Sequence, residues 1–136
     1  ALSATADERE MKRKYLTLKN KGALSLPIIV EPKFISLKTK DMVDSLRKIL
    51  DEDLAKVAVR EKSITSGRGK LRGRKHKGNA GAILVTANGE KINGDTIENS
   101  SVKNLSVMNL AEGGQGRLAI YTENAIKELN DRFGEE

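Results

Sequence analysis

Four short apolar runs, separated by stretches whose apolar residues recur at helical spacing, limit the folds open to this 136-residue chain. Leu24 to Glu31 (LSLPIIVE) is bounded by Gly22 and Pro32, and Ala82 to Ala87 (AILVTA) ends at the turn pair Asn88-Gly89. Such short β-branched runs suit strands covered on both faces, with Pro27 placing the first near a sheet edge or at a strand's start. Between them TKDMVDSLRKIL puts Met42, Val43, Leu46, Ile49 and Leu50 on one stripe of a helix, with Thr39 as its cap. Lys56 to Arg60 (KVAVR) reads as the next strand, which would complete a β-α-β unit.

The clearest unit is the last. Arg117 to Tyr121 (RLAIY) is strand-like, Thr122 caps a following helix with Ala125, Ile126, Leu129 and Phe133 inward, and Gly134 stops it. Residues 1–20 read as a helix with Thr5 and Glu8 as a capping box and Met11, Tyr15 and Leu18 on its inner face. A short helix within residues 90–99 and a weaker strand from Val102 to Leu105 are also expected. Strands alternating with helices at this spacing predict an α/β layered domain with a mainly parallel sheet, in one domain over residues 1–136.

Charge is concentrated, not spread. From Lys62 to Lys77 there are seven Lys or Arg and no acid; that exceeds the chain's net +6, so the other 120 residues sit near −1. Within Ser63 to Asn79 (SITSGRGKLRGRKHKGN), Gly67, Gly69, Gly73 and Gly78 interleave with Arg68, Lys70, Arg72, Arg74, Lys75 and Lys77. Small residues let a backbone approach phosphates, and each guanidinium offers a planar fork to their oxygens. The segment, about residues 62–79, is expected to be an extended basic loop that holds a polyanion; the alternative is a merely solvated loop.

Other chemistries find little support. No GxxxxGK followed by Ser or Thr is present, and Gly67-Arg68-Gly69 lacks the third glycine and the following helix of a dinucleotide site. His76 is the one histidine and cysteine is absent, so no catalytic residue, cofactor or metal is expected. His76 reads instead as one more RNA-facing group. Gly113-Gly114-Gln115-Gly116 reads as a flexible turn beside which Arg117 adds a phosphate contact, and Asp51, Glu52 and Asp53 as a solvated turn at a helix end. The charged stretch Arg9 to Lys14 reads as a helix's wet face, with an extension of the RNA footprint as the alternative. No window approaches the roughly 18 apolar residues of a spanning helix, so a soluble cytoplasmic chain with no membrane partner and no homo-oligomer is expected. The first residue is Ala1, which suggests a piece of a longer protein.

Three strings carry a resemblance: the opening ALSATAD, the basic SGRGKLRGRKHK, and the ending LAEGGQGRLAIYTENAIKELNDRF. In that order and spread over nearly the whole chain, they resemble the archaeal and eukaryotic branch of the uL4 family of large ribosomal subunit proteins. The resemblance implies a Rossmann-like layered domain with a mainly parallel sheet flanked by helices, which packs on large-subunit rRNA beside neighbouring large-subunit proteins and catalyses nothing. It carries rRNA contact to Arg68, Lys70, Arg72, Arg74, Lys75, His76 and Lys77, with Lys62 and Arg117 as weaker additions. His76 stands where the family commonly has an aromatic residue. Complete members also have an earlier strand, helix and long tunnel-directed loop, which the resemblance places ahead of ALSATAD. Two other readings compete with this one: a non-specific polyanion-binding module, and a nucleotide-dependent enzyme of Rossmann type.

Overall fold

The computed structural model of the chain describes residues 1–15, 25–59, 62–90, 92 and 96–134, with residues 51–53 described only as part of a helix. Its helices are α1 (Leu2–Ala6), α2 (Glu8–Lys14), α3 (Thr39–Ala58), α4 (Val107–Ala111) and α5 (Glu123–Phe133). Its strands are β1 (Ile28–Val30), β2 (Ser63–Ile64), β3 (His76–Lys77), β4 (Ile83–Thr86), β5 (Glu98–Ser101) and β6 (Ala119–Thr122). Four strands form one sheet in the order β1-β6-β4-β5, and each neighbouring pair within it is parallel. The expected α/β class with a parallel sheet is therefore observed.

Both faces of the sheet are covered, which is why β4 and β6 are buried at every position. Leu84, Leu118 and Ile120 face a core built with Met11, Phe34 and the inner stripe of α3. Ile83, Val85, Ala119 and Tyr121 alternate to the other side, where they meet Ala125 of α5 and Val102, with Leu2, Ile126 and Leu129 packed around them. A continuous apolar run is what a strand needs when helices lie on both sides of it.

The α3 stripe explains one difference from expectation. Met42, Leu46, Leu50, Leu54 and Ala58 recur every four residues and are 0–3% exposed. The helix therefore runs through Lys56–Ala58 with Val59 as its cap, so the residues expected to begin a strand are its end. Val57 favours strands on its own, but the apolar stripe continues past it and decides the outcome. The residues 51–53 accordingly lie within the helix and not in a turn at its end. Arg60 lies outside the described residues. Ile49, expected on the stripe, is turned out and exposed, and Thr39 is the first helical residue and not its cap.

At the amino end the expected single helix is two. Asp7 is extended, breaks the helix, and caps α2 by accepting a hydrogen bond from the Arg9 N–H at 2.8 Å. Thr5 has no capping role: its hydroxyl donates to the Leu2 carbonyl and lies 2.7 Å from the Tyr121 hydroxyl, a buried link between α1 and β6. Burial pushes the Tyr121 phenol up from its ordinary pKa, against the opposing effect of the Thr5 hydrogen bond. Leu18 and Leu24 lie outside the described residues.

The β5 strand occupies Glu98–Ser101, ahead of the place expected for it, and a 3-10 turn follows at Val102–Asn104 where that strand was expected. Among the described residues no helix occurs in 90–99. The carboxy-terminal unit is as expected in its essentials: Thr122 caps α5 by accepting from the Ala125 N–H at 3.2 Å, and the helix ends at Gly134. Phe133 is the exception, lying exposed on the last turn with the Arg132 guanidinium 5.3 Å from its ring.

Candidate nucleic-acid interface

The basic segment is a hairpin, and it is more ordered than an extended loop. β2 and β3 pair antiparallel, with Ser63 opposite Lys77 and Ile64 opposite His76. The Thr65 N–H donates to the Lys75 carbonyl at 3.0 Å, continuing the ladder towards the tip. There a 3-10 turn at Gly67–Gly69 curls the chain, and the Leu71, Arg72 and Arg74 N–H groups all donate back to the carbonyls of Arg68 or Gly69 at 3.0–3.3 Å. Gly73 closes the turn at φ 78°, in the left-handed region that a side chain resists.

The hairpin's root is tied to the body. The Asn79 side-chain amide donates to the carbonyls of Val57 and Val59 at 2.9 and 3.3 Å, and the Ala82 N–H donates to the Ala58 carbonyl at 2.9 Å. The end of α3 thus fixes where the hairpin leaves the sheet. From that root Lys62, Arg68, Lys70, Arg72, Arg74, Lys75, His76 and Lys77 are brought together on one projection, and each is exposed. Among the described residues no carboxylate forms an ion pair with any of them. Unneutralised cations on a held backbone present a polyanion with a fixed pattern of phosphate partners, at small cost in ordering.

Arg117 does not belong to this group. Expected as a phosphate contact, it is fully buried, and its guanidinium is consumed inside the protein. Nε donates to the Gly81 carbonyl at 3.1 Å, Nη1 to the Asn109 carbonyl at 2.6 Å, and Nη2 to the Ala80 carbonyl. It also pairs with Glu98 at 2.8 Å and Glu112 at 3.0 Å. One side chain so joins the segment between the hairpin and β4 to β5, α4 and the glycine loop. A buried cation at the entrance of an apolar strand run was the available signal, but its acidic partners lie 19 and 5 residues away in sequence and nothing local points to them.

The glycine loop is likewise packed and not a free turn. Lys14 Nζ donates to the carbonyls of Glu112 and Gly114, both at 2.9 Å, and its pKa is lowered by burial first and then by the Arg117 charge, with Glu112 acting in the opposite direction. Gly116 sits at φ 75°, and a Cβ there would lie 2.9 Å from the Glu10 carbonyl carbon. Gly116→Ala is therefore expected to cost about 2–3 kcal/mol, from left-handed strain plus displacement of α2. Gly73→Ala, with the same sign of φ but open space around it, should cost about 1 kcal/mol. Chemical denaturation of the two variants compares them.

A parallel α/β sheet offers another place for ligands, the carboxyl ends of strands where the strand order reverses. The nearest counterpart here is the space beyond the carboxyl ends of the neighbouring parallel strands β4 and β6. It is filled by the chain's own carboxylates. Glu90 accepts from the Ala87 N–H at 2.9 Å, the Thr122 hydroxyl at 3.1 Å and the Asn124 amide at 3.0 Å. Glu128 accepts from the Asn88 N–H with both oxygens at 3.1 Å. Donors that would meet a nucleotide's phosphates in such a crevice are already engaged by anions, which would also repel a phosphate.

No family model matches the chain. Among curated proteins it is similar to the large ribosomal subunit protein uL4 of Haloquadratum walsbyi, 35% identical over 138 residues covering 97% of this chain and 54% of the relative. The uL4 protein of Saccharolobus islandicus is 37% identical over 142 residues, covering 98% and 52%. That of Methanococcus maripaludis is 38% identical over 123 residues, covering 85% and 48%. The chain spans about half the length of the curated relatives it matches.

Proposed function

The chain belongs to the uL4 family of large ribosomal subunit proteins, and on that premise we propose that it is a structural constituent of the cytoplasmic large ribosomal subunit, holding large-subunit rRNA with its hairpin. The contacts are assigned to Lys62, Arg68, Lys70, Arg72, Arg74, Lys75, His76 and Lys77. The observation that carries the reading is the projection of these exposed side chains, free of acidic partners among the described residues, from a root tied to α3. Arg117 is left out of the contact set and given the task of holding that root.

No catalytic residue or cofactor is assigned. Glu90 and Glu128, lying beyond the carboxyl ends of β4 and β6, count against a nucleotide-dependent enzyme. A non-specific polyanion binder would use the same cations, so the two binding readings differ only in preference. The test is a titration of the chain against labelled large-subunit rRNA fragments, with excess transfer RNA as competitor, at several salt concentrations. If all seven Lys and Arg of the hairpin meet phosphates, the log–log salt slope is roughly −5 to −6, and one rRNA complex survives the competitor. The same slope with no surviving complex would reduce the chain to a general polyanion binder.

A further inference from the structure

The hairpin's most exposed apolar side chain is at its tip. Leu71 is 85% exposed, the largest exposure among the large apolar side chains of the described residues, and lies between Lys70 and Arg72. Its placement is fixed: the Leu71 N–H donates to the Arg68 carbonyl at 3.1 Å, and the Arg72 N–H on its far side is held by Arg68 and Gly69. A leucine kept in water on an ordered turn gains from any partner that covers it.

The surrounding charge says which partner fits. Whatever covers Leu71 must accept Arg68, Lys70, Arg72 and Arg74 within a few residues of it, so the apolar surface must itself be set among anions. RNA has that character, because its base faces are apolar and its phosphates are close by. A continuous RNA helix hides those faces in its stack and has a major groove too deep and narrow for side chains, whereas loops and bulges turn bases out. We infer that Leu71 packs on the face of an unpaired base, and that this contact is what distinguishes folded rRNA from polyanions that turn no base out, such as a continuous duplex. The inference rests on the RNA-binding reading above and adds the feature of the RNA that is recognised.

The test is Leu71→Ser in the intact chain, in the same titration. Affinity for the preferred rRNA fragment is expected to fall about tenfold, while affinity for a continuous RNA duplex of similar length, which turns no base out, is unchanged, so the preference over duplex collapses. The salt slope should stay as it was, because no cation is removed, and the thermal midpoint should not move. Leu71→Phe, which offers a larger apolar face, should bind at least as tightly as the parent chain. Leu71→Ser binding both RNAs like the parent, while loss of hairpin cations still flattens the slope, would overturn the inference and leave charge alone as the means of binding. Intact rRNA binding with loss of contact to a neighbouring ribosomal protein would overturn it in favour of a protein partner. Absence of any salt slope in the parent chain is a different result, and contradicts the RNA-binding reading itself.

Discussion

Arg117→Ala is expected to lower stability by roughly 3–5 kcal/mol, the range found when one partner of a buried charge pair is removed. In a domain of this size that corresponds to a fall of about 10–20 °C in thermal midpoint. The substitution strips hydrogen bonds from the carbonyls of Ala80, Gly81 and Asn109, and leaves the Glu98 and Glu112 carboxylates without the cation that faces both. Arg117→Lys should recover little, since one ammonium cannot reach acceptors on four segments in the planar arrangement of a guanidinium. Differential scanning of both variants measures this. A surface arginine would give a change within about 0.5 kcal/mol, so a near-silent Arg117→Ala would contradict the buried network and return Arg117 to the list of RNA contacts.

The second large effect falls on binding and spares stability. Neutralising Arg72 and Arg74 together, as the double glutamine variant, should flatten the log–log salt slope by about 1.5–2, because each lost phosphate contact removes slightly less than one unit. Affinity at low salt should fall in parallel. Both side chains are exposed beyond the root contacts, so the thermal midpoint should shift by no more than a degree or two. The contrast with Arg117 is what the pair tests: of three arginines, two are exposed on the hairpin and proposed to face the ligand, and one is buried in the scaffold behind them. A large loss of stability in the double variant would show that the hairpin tip is part of the fold.

That division was only partly legible in the amino-acid sequence. β4 and the Thr122-capped α5 were, since a buried parallel strand and a capped amphipathic helix each announce themselves within a few residues. The hairpin cations were legible too, because seven Lys or Arg without an acid in 16 residues need no tertiary information to be noticed. What was missed depended on distant partners. β5 is the string ENSS, with Ser100 alone buried, and no apolar pattern marks it as a strand. α4 has five residues, too few for helical periodicity to appear, although Ser106 and Asn109 cap it reciprocally. Val57 was misread because strand preference is local, while the Leu50, Leu54 and Ala58 stripe that keeps the helix going is satisfied only by the sheet it covers. Arg117 was misread for the same reason: its burial exists only once Ala80, Glu98, Asn109 and Glu112 have converged on it.

The central claim is that the hairpin from Lys62 to Lys77 is the surface that meets rRNA. Hydrogen exchange of the backbone amides, compared for the free chain and for its complex with the rRNA fragment selected by titration, tests it most directly. The claim predicts that protection rises at the hairpin amides, above all in the tip from Arg68 to Arg74, while amides of β4 and β6, already buried in the free chain, change little. Protection that appears instead on another face, such as the outer side of α5, with the hairpin exchanging as fast as in the free chain, would contradict it.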